Sequence, residues 1–177
     1  MRVFISIDIP EKVKEEIKKI QDNLPEFLGK KTEVGKLHLT LKFLGEISEE
    51  EIKEIKKRLE TINFEKFKAE INSMGVFSKE FLKIIWLDIK NCDELQREID
   101  NILSDLFLKE KRFMSHLTIA RVKNVENKKD FLEKLNQIKI PKINFIVENF
   151  KLKKSLLTNQ GPDYQDIEIY SANKNIK

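Results

Sequence analysis

The only two histidines of the 177-residue chain stand in matching contexts, Leu37-His-Leu-Thr-Leu-Lys-Phe43 and Ser115-His-Leu-Thr-Ile-Ala-Arg121. A single strand histidine reads as a surface or satisfied core residue; a repeated His-x-Thr calls for a shared explanation. With an unperturbed pKa near 6.5, a pair of imidazoles can hold one neutral and one protonated ring near pH 7. That is what water needs to open a cyclic phosphodiester: a base for the water proton and an acid for the departing oxygen. A threonine two residues along can donate its hydroxyl to a non-bridging phosphate oxygen, preparing for the charge of the transition state. A metal site is the competing reading. It would need carboxylate or thiolate ligands at suitable spacing, for which threonine is a poor substitute, so neither metal nor cofactor is expected.

Such side chains must be presented by strands. In an extended chain side chains alternate, so His38, Thr40 and Lys42 share one face and Leu37, Leu39, Leu41 and Phe43 the other. His116 and Thr118 point one way, Leu117 and Ile119 the other. The apolar set must enter a core, which leaves each His-Thr pair on the opposite surface. By parity Lys42 is a candidate phosphate ligand. Arg121, whose guanidinium suits phosphate geometry, falls on the Leu117 face unless a bulge or strand end turns it back. Phe4 and Ser6 have the parity opposite to Val3, Ile5 and Ile7, which makes Phe4 a candidate base-stacking platform, with core filling as its competing use.

Periodicity predicts the remaining elements. A strand over residues 1–9, stopped by Pro10, precedes a helix over 11–23. A strand over 37–44 closes at Gly45, and Ser48-Glu-Glu-Glu51 is a capping-box entry into a helix running to residue 59. Strands at 67–74 and 83–89 lead to a helix from about 92 to 107. The second half repeats the grammar with a strand at 114–122, a helix at 128–137, and strands at 143–151, 153–158 and 164–170. Thr158-Asn-Gln-Gly-Pro162 supplies turn chemistry, and Tyr164 and Gly161 are assigned to that hairpin. No linker divides the halves. The expectation is an α+β fold of two pseudo-symmetric lobes, each an antiparallel sheet backed by helices, packed as one domain over 1–177 with the active-site cleft between them. A single mixed sheet is the alternative.

Bulk properties narrow the setting. One cysteine, Cys92, excludes a disulfide scaffold and points to a reducing compartment, the cytoplasm by default. The N-terminal stretch, interrupted by Ser6 and Asp8, reads as a strand and not as a signal, and no segment has the roughly 20 apolar residues of a membrane helix. Charged residues make up 36% of the chain, rich in Lys and Glu, as in proteins that work hot. The net charge of +4 is unevenly spread: residues 1–108 hold 19 Lys/Arg against 22 Asp/Glu, whereas 109–154 hold 13 against 5. The basic excess surrounds His116, as phosphate backbones require, although a Lys-rich stretch can equally be a solvated face.

On these residues the chain resembles the two-histidine phosphoesterase superfamily, and within it the RNA 2′,3′-cyclic phosphodiesterases also called 2′-5′ RNA ligases. The resemblance spans nearly the whole sequence and rests on Met1 to Ile9, His38-Leu-Thr-Leu-Lys-Phe-Leu-Gly45, Ser115-His-Leu-Thr-Ile-Ala-Arg121, and Ser155 through Gly161-Pro162 to Tyr164. It implies that His38 donates a proton to the 3′ leaving oxygen, that His116 accepts one from water, and that the product ends in a 2′-phosphate. It implies an RNA partner with a cyclic phosphate end, tRNA-derived ends among them, and no obligate protein partner. It favours a functional Arg121, and it brings 2′-5′ joining as a secondary activity. There are departures: Ser115 stands where the family usually has proline, and Lys154, beside Lys153, where it often has an aromatic residue. Two further functions remain open, a non-catalytic RNA-end binder and a phosphodiesterase acting on a small cyclic nucleotide.

Overall fold

The computed structural model describes residues 1–159 and 161–173. Strand β1 (Arg2–Asp8) leads through Pro10 into helix α1 (Glu11–Asp22), then strand β2 (Leu28–Lys31), a 3-10 turn (Val34–Lys36), strand β3 (His38–Glu46) and helix α2 (Glu49–Leu59). Strands β4 (Phe67–Val76) and β5 (Ile84–Lys90), helix α3 (Asp93–Ile102), strand β6 (His116–Asn124) and helix α4 (Lys128–Gln137) follow. Strands β7 (Ile143–Val147), β8 (Asn149–Thr158) and β9 (Gly161–Ser171) complete the chain.

The strands form two antiparallel sheets, ordered β3-β1-β8-β9 and β2-β6-β5-β4-β7. Each histidine strand has the strand preceding its lobe's first helix at its side, so β1-α1-β3-α2 and β5-α3-β6-α4 repeat one plan. The halves interleave, because β8 and β9 return to the first sheet and β2 is added to the edge of the second. The sheets adjoin where β3 packs against β6. Apolar faces of strands and helices meet in one continuous core running from Val3 and Ile5 to Leu152 and Tyr170. The capping box at Ser48 is formed: Glu51 N donates to Ser48 Oγ, and Ser48 N to the Glu51 carboxylate. Among the described residues no helix is long and apolar enough to cross a membrane.

Strand limits shift by a few residues from the sequence expectation, and three features depart from it further. Helix α3 ends at Ile102 rather than near 107; Ser104 and Asp105 are weak helix formers, and Arg58 of α2 takes the Ile102 carbonyl and pairs with Asp105. The chain crosses between sheets at Glu148, within a stretch read as one apolar strand. Strand β2 carries no alternation because it is exposed throughout. It is held to β6 by backbone alone, and a Cβ on Gly29 would stand 2.2 Å from Arg121 O. The expected hairpin turn includes Gln160, which lies outside the described residues; Gly161 (φ 115°) adopts the conformation open to glycine, and its carbonyl accepts from Thr158 Oγ1.

Lys42 is not a phosphate ligand. It is 2% exposed, and its Nζ lies 2.5 Å from Asp100 Oδ1 on α3 and 2.8 Å from Leu108 O. Burial alone would raise the Asp100 pKa, but hydrogen bonds from Lys42, Gln96 and the Glu110 amide outweigh it and leave the carboxyl below its usual value. A lone charge left here is costly, so Asp100→Ala is expected to destabilise the protein by about 3–5 kcal/mol in urea unfolding, and Lys42→Met with Asp100→Leu by much less.

Candidate active site

The parity of both histidine strands changes at the same place. Ser6 lies opposite Thr40 and Ile5 opposite Lys42, so Leu41 is an extra residue in β3. Trp86 lies opposite Thr118 and Ile85 opposite Ala120, so Ile119 is the extra residue in β6. Each bulge sits three residues after its histidine and reverses the faces beyond it. Lys42 and Ala120 therefore turn inward, while Phe43 and Arg121, each the fifth residue after its histidine, turn out on the His-Thr side. Both strands show one burial pattern, with His38, Thr40, His116 and Thr118 half-buried and Phe43 and Arg121 exposed.

This corrects two further expectations. Phe43, assigned by alternation to the core, is 69% exposed. Phe4, the candidate stacking platform, is 2% exposed and lies under the site, its ring 5.1 Å from His38, 5.2 Å from Tyr164 and 6.3 Å from Phe43. Its ring floors the site beneath His38 and Tyr164 and is closed to a base, and Phe43 offers the free aromatic face.

The histidines are held alike. His38 Nδ1 lies 2.8 Å from Lys36 O and His116 Nδ1 2.7 Å from Met114 O. A carbonyl only accepts, so each Nδ1 carries its hydrogen and each Nε2 is left to accept a proton or, once charged, to donate one. Each ring also meets an aromatic edge, Tyr164 at 5.0 Å from His38 and Phe77 at 4.9 Å from His116. Thr40 and Thr118 make no side-chain hydrogen bond, and Arg121 has no carboxylate partner, among the described residues. Among the described residues, where ion pairs are dense, the Arg121 guanidinium thus stays uncommitted.

Groups of both lobes set the electrostatics of His38. Burial is the main force holding the His38 pKa below its ordinary value of 6.5; the Lys36 carbonyl and Asp8 oppose it, and the charges of Lys153 and of Arg121, across on β6, reinforce it. Free His38 is therefore expected to titrate below 6.5 in an NMR pH titration and to move upward when inorganic phosphate is added, because a bound anion favours the imidazolium. An unchanged midpoint with phosphate would count against an anion beside His38.

Several residues of the site went unread in the sequence. Asp8 lies opposite His38 and Asp88 opposite His116. Asp8 is tied to Lys151 and Lys153 at 2.8 and 2.7 Å, and both lysines also pair with Asp166. Asp88 pairs with Lys90 at 2.5 Å. A second echo announces them, Ile7-Asp-Ile9 against Leu87-Asp-Ile89. Tyr164, read as a hairpin residue, stands against His38; Phe77 reaches His116 from beyond the end of β4, where no local pattern marks it.

A cavity of about 310 Å³ opens beside His38, lined among others by Asp8, Lys36, Lys153, Asp163 and Tyr164. A larger one, about 600 Å³, lies among residues 63–68 and 91–98 and touches neither histidine. Cys92 is no candidate nucleophile, since it is buried and its thiol is pushed up to about 12, mainly by that burial. Among the described residues no three His, Cys, Asp or Glu side chains converge as a metal-binding group. Together the two strands offer two imidazoles, two hydroxyls and a guanidinium, a set suited to acid–base work on a phosphate ester.

Comparisons with known proteins agree with this geometry. The family model described as LigT like Phosphoesterase matches in two successive stretches, residues 7–86 and 88–164, one for each histidine. A protein of Methanocaldococcus jannaschii named RNA 2′,3′-cyclic phosphodiesterase is 39% identical over 95% of this chain and 99% of its own length. One of the same name from Archaeoglobus fulgidus is 32% identical over 96% and 99%. The crystal structure of TT0787 from Thermus thermophilus is 25% identical, covers 97% of both chains and superposes with a TM-score of 0.79.

Proposed function

The chain belongs to the LigT-like phosphoesterase family, the two-histidine phosphoesterases, and from that premise we propose that it hydrolyses 2′,3′-cyclic phosphate ends of RNA to 2′-phosphomonoesters. The enzyme is a hydrolase. Water attacks phosphorus and gives its proton to His116 Nε2, the bond to the 3′ oxygen breaks, and that oxygen takes a proton from His38 Nε2. Solvent then resets both rings. Thr40 and Thr118 donate to the non-bridging oxygens, and Arg121 offsets the charge that grows on them. No metal takes part. Phe43, turned out beside His38, provides a face for the terminal base.

The observation that carries this reading is the duplicated bulged strand: each histidine is held in the same tautomer by the carbonyl two residues before it, and the bulge of β6 turns Arg121 to the side of its histidine. The low proton affinity of free His38 would by itself suit a base. An anionic substrate beside it and Arg121 raises that affinity, and a ring with a low free pKa is a strong donor once charged.

The substrate is an RNA end, tRNA-derived ends included, met in the cytoplasm without an obligate protein partner. Residues 1–177 work as one catalytic domain of two lobes. Joining of ends through a 2′-5′ linkage is the same displacement with a 5′-hydroxyl in place of water: its oxygen bonds to phosphorus, His116 takes its proton, and the 3′ oxygen leaves with a proton from His38. Incubation of a 2′,3′-cyclic-phosphate oligonucleotide with the protein and EDTA is expected to give a 2′-phosphomonoester. No turnover, a need for added metal, or a 3′-phosphate product would each contradict the reading.

A further inference from the structure

Each bulge is gripped by a helix from the opposite half of the chain. Gln21, buried on α1, donates both hydrogens of its amide, to Thr32 O at 2.9 Å and to Ile119 O at 2.8 Å. Ile119 is the extra residue of β6, and its carbonyl also accepts from Thr32 N at 2.9 Å. The bulge that turns Arg121 outward is therefore fastened by a side chain of the first half. In the mirror arrangement, Asp100 on α3 of the second half receives Lys42, the residue after the extra Leu41 of β3. Gln96 Nε2 and Glu110 N lock Asp100 through its other oxygen, both at 2.9 Å. Inward capture of Lys42 commits the next residue, Phe43, to the outer face.

We propose that Gln21 and the Lys42–Asp100 pair are positioning residues: Gln21 holds Arg121, and Asp100, through Lys42, holds Phe43, on the substrate face of a strand from the opposite half of the chain. The consequence is mutual dependence, since each half supplies the clamp that completes the other's face of the groove. Bulges are sites where register can shift by one residue, and a shift would turn Arg121 and Phe43 back toward the core. A buried amide that donates to a bulge carbonyl disfavours that alternative, because a slipped strand would cost this buried hydrogen bond and leave one amide hydrogen unpaired.

This inference rests on the reading of Arg121 as the phosphate contact, and a double-mutant cycle separates the two. The values of kcat/KM on a cyclic-phosphate oligonucleotide are compared for the parent, Gln21→Met, Arg121→Ala and the double variant, with folding followed by circular dichroism. A positioning role predicts that Gln21→Met lowers kcat/KM by about tenfold when Arg121 is present and by less than about twofold when it is absent. Equal losses in both backgrounds, or no loss in either, overturn the inference and leave the Arg121 reading intact; an Arg121→Ala variant of undiminished activity overturns that reading and the inference with it. Should the methionine variant fail to fold, Gln21→Asn keeps a neutral amide while drawing it back by one methylene from Ile119 O, and the same outcomes apply. The second clamp is tested by combining Lys42→Met and Asp100→Leu with Phe43→Ala. The paired replacement is expected to raise KM with Phe43 present and to leave KM unchanged in the Phe43→Ala background; a KM effect of equal size in both backgrounds contradicts it.

Discussion

Replacing either His38 or His116 by alanine is expected to lower kcat/KM on cyclic-phosphate RNA by about 10²–10⁴-fold, the usual worth of a positioned general acid or base. Stability should change little. Each imidazole makes one backbone hydrogen bond and one aromatic edge contact, to which His38 adds the tilted ring of Phe4, and neither imidazole belongs to the core that holds the sheets together. Because the two rings act in one concerted step, the double variant should be scarcely slower than the worse single one, as groups that act as a unit are far from additive. A loss below tenfold for either single variant, with the fold intact by circular dichroism, would remove that ring from the acid–base pair. A parallel loss of melting temperature would point to structure instead.

The next largest effect is expected at the threonines. Thr40→Val and Thr118→Val remove one hydroxyl each and keep the branched shape that suits a strand. Loss of a donor aimed at developing charge typically costs about 10²–10³ in kcat. The fall should appear in kcat more than in KM, since the oxygens gain charge mainly in the transition state. If both variants kept kcat and changed only KM, the hydroxyls would be ground-state binding groups. The two losses should be similar, because both residues stand at the same step before an equivalent bulge.

How far the sequence discloses this site depends on where alternation holds. Between His38 and Leu41, and between His116 and Ile119, side chains alternate, so both His-Thr pairs are assigned correctly from parity and from the repeat. One residue later each strand carries an extra residue, and period-two reasoning inverts. Lys42 then exchanges places with Phe43, and Arg121 comes to the face of His116 and Thr118 that strict alternation denies it. Nothing in the local composition announces a bulge. The extra residues are Leu41 and Ile119, ordinary strand formers, and the forces that fix them come from Gln21 and Asp100, remote in sequence.

The architecture was more legible than its seams. Helices α1, α2 and α4 follow from apolar spacing and capping, and the two-lobed plan follows from the repeat of strand, helix, strand, helix. Strand β2 escapes notice because it is an exposed edge that pairs through its backbone. The crossing at Glu148 escapes notice because apolar alternation runs on both sides of it while the chain changes sheets. Asp8 and Asp88 were readable in principle from their repeated Asp-Ile context, but that echo is shorter than the histidine motif and gains meaning only once each aspartate is seen opposite a histidine.

The central claim, that two imidazoles divide acid and base duties, is tested most directly by the pH dependence of kcat/KM in the parent and in each single histidine variant. The parent should give a bell. With His116 as base, His116→Ala should lose the rise on the acidic side and keep the fall on the alkaline side; with His38 as acid, His38→Ala should lose the alkaline fall and keep the acidic rise. Exchange of these patterns would reverse the two roles, and a bell that survives intact in both variants would contradict the two-histidine account.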